Sequence, residues 1–296
     1  CLDRAWSAPV KVAVDDGTRL FVDIVGPGVV ARRGELVDRP SFIMLHGGPG
    51  YDHSNLRRFH MPLARAAQLV FFDQRGHGRS DRSVPGNWTL ARWADDVKSL
   101  CDTLGIQKPI VMGASFGGMV AQTYAARHPH HPRALVLHST AARFNYDRII
   151  ARMAALGGAE ARAAAVALWE DPGDPERLAR YTEHCMRYYT VGTPAPDPRR
   201  VAVEVNLAVL RYFYAPGREG RTMDLTATNK AITCDTLVIA GVDDPITVIE
   251  EAGALVDSLC NARVDYLRVE RAGHGVHHDH PDLIRHRLKQ FIKDHP

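Results

Sequence analysis

Residues 10–25, VKVAVDDGTRLFVDIV, alternate apolar and polar positions on both sides of Asp16-Gly17, the period-two pattern of two antiparallel strands joined by a turn dipeptide. Downstream the pattern changes. SFIML (41–45), QLVFF (68–72), PIVMG (109–113), ALVLHS (134–139) and TLVIAG (236–241) are continuous apolar runs of strand length, too apolar for a strand with one wet face. They predict central strands covered on both sides. Between several of them lie stretches of helical spacing, such as WADDVKSLCDTLG (93–105) and MVAQTYAARHP (119–129). The prediction is an α/β protein with a mostly parallel sheet and crossover helices.

Residues 142–228 break this alternation. RIIARMAALGGAEARAAAVALWE (148–170), PERLARYTEHCMRYY (175–189) and RRVAVEVNLAVLRYFY (199–214) read as helices with no strand run between them. Asp171-Pro172-Gly173, the Pro and Gly of residues 192–196, and Pro216-Gly217 punctuate their ends. A helical insertion inside the α/β frame is expected, followed by a last helix over PDLIRHRLKQFIKDH (281–295). No internal repeat or low-complexity tract is present.

Composition narrows the class. At 296 residues with 45% hydrophobic and 24% charged residues, the chain has enough apolar surface for one large core, which excludes disordered and fibrous classes. The 37 Lys and Arg against 34 Asp and Glu leave a net charge of +3, and the arginines (Arg32, Arg33, Arg57, Arg58, Arg199, Arg200) are scattered rather than striped, so nucleic acid is not an expected partner. The longest apolar stretches fall far below the ~18 residues of a membrane span, so no membrane partner is expected either. Five widely spaced cysteines (Cys1, Cys101, Cys185, Cys234, Cys260), none in C-x-x-C, argue against a disulfide framework or zinc ribbon and point to a reducing, cytoplasmic setting. The start CLDRAW shows no basic region followed by an apolar one.

The strongest chemical signal is Gly113-Ala114-Ser115-Phe116-Gly117, between the strand run PIVM and a helix. A serine nucleophile has to stand clear of the backbone on a tight turn, and glycines two residues either side allow strand and helix to approach closely. The helix that follows aims its free N–H groups at any oxyanion formed there. A second signal, His46-Gly47-Gly48-Pro49-Gly50, follows SFIML, and we assign the oxyanion hole to the N–H groups of Gly48 and Phe116. The base is assigned to His274 in Ala272-Gly273-His274-Gly275, because an imidazole with a reference pKa of ~6.5 can take a hydroxyl proton and return it to the leaving group. Of the two carboxylates in Gly241-Val242-Asp243-Asp244-Pro245, Asp244 is preferred as its partner, with Asp243 the alternative. The chain order Ser115, Asp244, His274 is that of strand–turn–helix serine hydrolases.

The fifteen histidines raise the question of metal, above all His274-Gly275-Val276-His277-His278-Asp279-His280. The spacing does not fit: H-x-H-x-D-H would need histidine at position 275, which is Gly, and H-E-x-x-H is absent. Gly76-His77-Gly78 lacks the third glycine of a dinucleotide fingerprint. No metal and no cofactor is expected.

Together HGGPG (46–50), DQRGHGRS (73–80), GASFGG (113–118), GVDDP (241–245) and AGH (272–274) resemble α/β-hydrolases of the proline iminopeptidase type over almost the whole chain. Asp279 and Pro281 after His274 follow the family's pattern, with Asp for Glu. The resemblance implies an α/β-hydrolase fold with a core of residues 1–141 and 229–296 and a helical cap at 142–228. It implies that acidic cap residues bind a substrate's free amine, here Glu170 and Glu204, with Tyr212 of the run Tyr212-Phe213-Tyr214 beside them. Phe116 stands where the family commonly has Trp, and the cap lacks an ENHYF-like string. The expected activity is acyl-enzyme hydrolysis releasing an N-terminal residue from a short peptide or amide. The alternatives are an ester or lactone substrate, or a lyase or cyclase on the same frame.

Overall fold

The structure, a computed structural model, describes residues 7–192 and 202–296. Among the described residues ten strands form: β1 (Ser7–Ala13), β2 (Arg19–Val25), β3 (Val29–Arg32), β4 (Glu35–Asp38), β5 (Ser41–Leu45), β6 (Gln68–Phe72), β7 (Ile110–Ala114), β8 (Ala134–His138), β9 (Asp235–Gly241) and β10 (Val264–Val269). Eight of them make one sheet in the order β1-β2-β6-β5-β7-β8-β9-β10. β1 and β2 are antiparallel, with the turn at Asp16-Gly17, and every pairing from β6 to β10 is parallel. β3 and β4 form a separate exposed hairpin, which the chain's apolar pattern does not signal because neither strand buries a face.

The continuous apolar runs follow from burial on both sides. In β5, Ile43 and Leu45 point into one apolar layer with Trp93 and Val97, while Phe42 and Met44 point into the other with Ile284 and Leu288. Those layers are built on α1 (Ser54–His60), α2 (Leu90–Thr103), α3 (Phe116–Arg127), α8 (Ile249–Ser258), α9 (Val276–Asp279) and α10 (Pro281–Asp294). Among the described residues no helix is long and apolar enough to cross a membrane.

Between β8 and β9 the chain forms α4 (Tyr146–Glu170), α5 (Pro175–His184), a 3-10 turn (Met186–Tyr189), α6 (Leu207–Tyr214) and α7 (Glu219–Thr222). It leaves and rejoins the core side by side, with Leu225 N–H donating to Ala142 O at 2.8 Å and Arg143 paired with Asp224 in an isolated β-bridge. α4 breaks at Gly158, whose φ of 67° and ψ of −153° are non-helical. The helix expected over residues 199–214 is shorter than its spacing suggests. Residues 199–201 lie outside the described residues, 202–206 are non-helical, and α6 starts only at Leu207. Tertiary bonds decide this: Asn206 caps α6 through Ala208 N–H, donates its own N–H to Gly50 O at 2.7 Å, and donates Nδ2–H to Gly76 O at 2.7 Å.

Candidate active site

Ser115 sits between β7 and α3 at φ 53° and ψ −121°, a conformation that costs a non-glycine residue roughly 1–3 kcal/mol and persists only where neighbours enforce it. Here they do. Ser115 N–H donates to His138 O at 2.9 Å, and Ser115 O accepts from Gly118 N–H and Thr140 Oγ1, both at 2.8 Å. The flanking glycines are required by space: a Cβ on Gly113 would lie 2.2 Å from Gly117 O, and one on Gly117 would lie 2.4 Å from Leu45 O.

The HGGPG loop passes beside this turn, since a Cβ on Gly47 would lie 3.3 Å from Ser115 Cβ. It is stitched to the DQRG segment. His46 Nδ1–H donates to Gly47 O at 2.8 Å, His46 Nε2 accepts Gln74 N–H at 3.1 Å, and Gln74 Nε2 donates to His46 O at 3.0 Å. Burial lowers the pKa of His46, which keeps it neutral in that one tautomer. Among the described residues neither Gly48 N–H nor Phe116 N–H has a hydrogen-bond partner.

β9 lies next to β8 in the sheet, and the turn after it delivers Asp244. It is Asp244 that meets His274, with Nδ1 at 2.8 Å from Oδ2, while Asp243 is half-exposed and pairs with Arg152 of α4 at 3.4 Å. The buried Asp244 carboxylate also accepts Ile246 N–H at 2.7 Å, Thr247 N–H at 2.9 Å and Thr247 Oγ1–H at 2.7 Å. Burial alone would raise its pKa, but the facing His274 and these hydrogen bonds outweigh it and hold the carboxyl below its usual value. Among the described residues no hydrogen bond joins Ser115 Oγ to His274, a contact that tightens in many hydrolases only when substrate enters.

Thr247, Thr140 and Tyr189, whose ring stands perpendicular to that of His274 at 5.3 Å, are neighbours that the sequence reasoning missed. Thr247 was detectable, because an Asp whose carboxylate meets the N–H groups two and three residues on is an Asx-type turn. Tyr189 and Thr140 meet the site only through tertiary packing.

The residues expected on the helical segment are placed differently. Glu170 is exposed at the end of α4 and pairs with Arg177 at 3.1 Å. Glu204 is about half exposed and pairs with Arg82 at 2.7 Å, while its N–H donates to Asp52. Tyr212 packs edge-on to Trp88 at 5.6 Å and under Arg218. Among the described residues no hydrogen bond, ion pair or ring contact links these three to Ser115, Asp244 or His274. α6 does reach the start of α3 beside Ser115, through Phe213 against Phe116 at 5.3 Å. Among the described residues no group of three or more His, Cys, Asp or Glu is arranged to hold a metal ion.

Comparison with known proteins bears on this arrangement. Residues 40–281 match the model of the alpha/beta hydrolase fold family. In sequence the chain is similar to the proline iminopeptidase PfmaB of Pestalotiopsis fici, 26% identical over 92% of this chain and 99% of that one. A proline iminopeptidase of Lactobacillus helveticus is 28% identical over 72% and 77%. In structure it superposes on a proline iminopeptidase-related protein of Thermus thermophilus with a TM-score of 0.72 at 23% identity, covering 98% of each chain. The protein therefore belongs to the alpha/beta hydrolase family and is similar to its proline iminopeptidases.

Proposed function

We propose that the protein is a serine hydrolase that works through an acyl-enzyme, with residues 142–228 as a cap over the site. One observation carries this: a serine held in a strained strand-to-helix turn shares one sheet edge with a buried, hydrogen-bonded Asp244–His274 pair. In this reading Ser115 Oγ attacks the substrate carbonyl and His274 Nε2 takes its proton. The Asp244 carboxylate holds His274 with Nδ1 protonated and stabilises the imidazolium. Gly48 and Phe116 N–H groups receive the oxyanion, each worth ~3–4 kcal/mol in such a site. His274 then protonates the leaving group, and water enters to release the acid.

Similarity to named proline iminopeptidases supports a peptide or amide with a free N-terminal residue as substrate. A second reading, a small ester or lactone, is favoured by a specific observation. Glu170 and Glu204, the acids expected to hold a substrate ammonium, are exposed and already paired with Arg177 and Arg82.

Proline arylamide and short p-nitrophenyl esters, assayed on the wild type, Glu204→Gln and Ser115→Ala, test both parts. For Ser115→Ala a fall in kcat on the order of 10⁴-fold or more is expected on either substrate, with folding intact. Unchanged turnover would overturn the nucleophile. Arylamide turnover that collapses in Glu204→Gln supports the aminopeptidase reading, and ester turnover without arylamide turnover removes it.

A further inference from the structure

Asp279, the last residue of α9, uses both carboxylate oxygens on backbone N–H groups from two distant parts of the chain. Oδ2 accepts Gly273 N–H at 2.8 Å, immediately before His274. Oδ1 accepts Val191 N–H at 3.0 Å, in the segment that follows the 3-10 turn of the inserted helices. On the other side of His274, Gly275 N–H donates to Tyr189 O at 2.7 Å. The contact is close, since a Cβ on Gly273 would come within 2.6 Å of Tyr189 O. The same Tyr189 sets its ring against the imidazole, and its hydroxyl is held by Tyr181 of α5 at 3.0 Å. His274 therefore has three supports: Asp244 at Nδ1, the flanking N–H groups, and an aromatic wall. Only the first comes wholly from the core.

We propose that Asp279 is a positioning residue: it locks residues 189–191 of the inserted segment to the His274 loop, so that the imidazole takes its working orientation only while those helices are seated. This rests on the reading of His274 as the base. The physical argument is one of precision. A base held by one hydrogen bond can still swing about the axis of that bond, and a misplacement of ~1 Å originating away from the reacting atoms can cost about 10²-fold in rate. The Tyr189 ring and the two N–H anchors remove that swing, and among the described residues Asp279 is the side chain hydrogen-bonded to both the His274 loop and the inserted segment.

The test compares Asp279→Asn, Asp279→Glu, Val191→Pro and His274→Gln on a small p-nitrophenyl ester, together with the rate of labelling by a serine-directed phosphonate. Melting curves show which variants are folded. Asparagine has one acceptor oxygen where two N–H groups point, so one anchor is lost; glutamate keeps both acceptors. Val191→Pro deletes only the donor on the inserted segment, at a place where Thr190 already has the φ of −130° and ψ of 150° that a residue before proline adopts.

For folded Asp279→Asn and Val191→Pro, kcat and the labelling rate are expected to fall on the order of 10–100-fold. KM should stay within about threefold of the wild type. Asp279→Glu should recover most of the loss. Wild-type kcat in folded Asp279→Asn or in Val191→Pro, or an Asp279→Glu as slow as Asp279→Asn, overturns the proposal. His274→Gln separates the two levels. If it is inactive while Asp279→Asn is not, only the positioning role falls; if it turns over normally, the base assignment falls and takes the positioning role with it.

Discussion

Asp244 shows what a single buried carboxylate needs. Four donors converge on its two oxygens, so it can stay ionised in a place where burial alone would neutralise it. Asp243 has the same side chain one position earlier but is half-exposed and faces Arg152. The two substitutions are therefore expected to separate widely. Asp244→Asn offers His274 an amide in place of a charge and favours the wrong tautomer, so kcat should drop on the order of 10⁴-fold. Asp243→Asn loses one surface ion pair and should change kcat less than about threefold, since such pairs are worth about 0–1 kcal/mol. Steady-state rates of the purified variants on one substrate decide it. At this scale the Ser115 turn and the Asp244–His274 contact are legible because each sits in a short glycine-containing motif. Glu170 and Glu204 rest on family resemblance rather than on a motif, and the sequence carries no sign of the arginines that pair with them across 7 and 122 residues.

Among the elements, the junction of β7 and α3 has the least tolerance. α3 is buried along Phe116–Ala125, and its first turn runs against the backbone at the end of β5. A methyl on Gly117 would meet Leu45 O and His46 O at 2.4 and 2.6 Å, and backbone atoms cannot step aside as a side-chain tip can. Gly117→Ala is expected to destabilise by roughly 1–3 kcal/mol, the cost of overpacking a filled interior, and to pull the HGGPG loop away from Ser115. Denaturant titration against the wild type measures the first effect, and the oxyanion-dependent kcat measures the second. The parallel strands β5 to β9 were legible because burial on both faces leaves an unbroken apolar signature. The β3–β4 hairpin was not, since neither strand buries a face, and the start of α6 was misplaced because Asn206 is bound to Gly50 and Gly76, contacts that helical spacing cannot register.

For the whole molecule, the histidines matter more as hidden bases than as ligands. Burial pushes His60 down to about 4 and His77 and His138 down to about 3, and holds His277 well below its ordinary value. Among the described residues each leaves a ring nitrogen without a partner: Nε2 in His60, His77 and His138, and Nδ1 in His277. In the unfolded chain these groups titrate near ~6.5, so below that pH the unfolded state binds more protons than the folded one. Their contribution is fully present above pH ~6.5 and is lost as the pH falls towards the folded values, at about 1.4 kcal/mol per pH unit for each histidine. The melting temperature should therefore decline from pH 6.5 to 5, before most carboxylates titrate. Calorimetric unfolding at pH 5 in buffers of different ionisation enthalpy should show uptake of at least about four protons, and fewer than about two would contradict this account.

The neck at Ala142 and Leu225 carries a last implication. A chain that exits and re-enters its scaffold at touching residues imposes no topological demand on what is threaded between them. Outside residues 189–191, the intervening helices can be lengthened, recut or replaced while strand order and the Ser115 turn stay as they are. In the proposed function, substrate preference can then diverge without redesign of the Ser115 turn, so long as the new segment keeps the Tyr189 and Val191 contacts to Gly275 and Asp279. If the proposed function holds, a graft of the equivalent segment from a relative, keeping those contacts, is expected to move selectivity, and turnover of the two substrate classes by the chimera measures it.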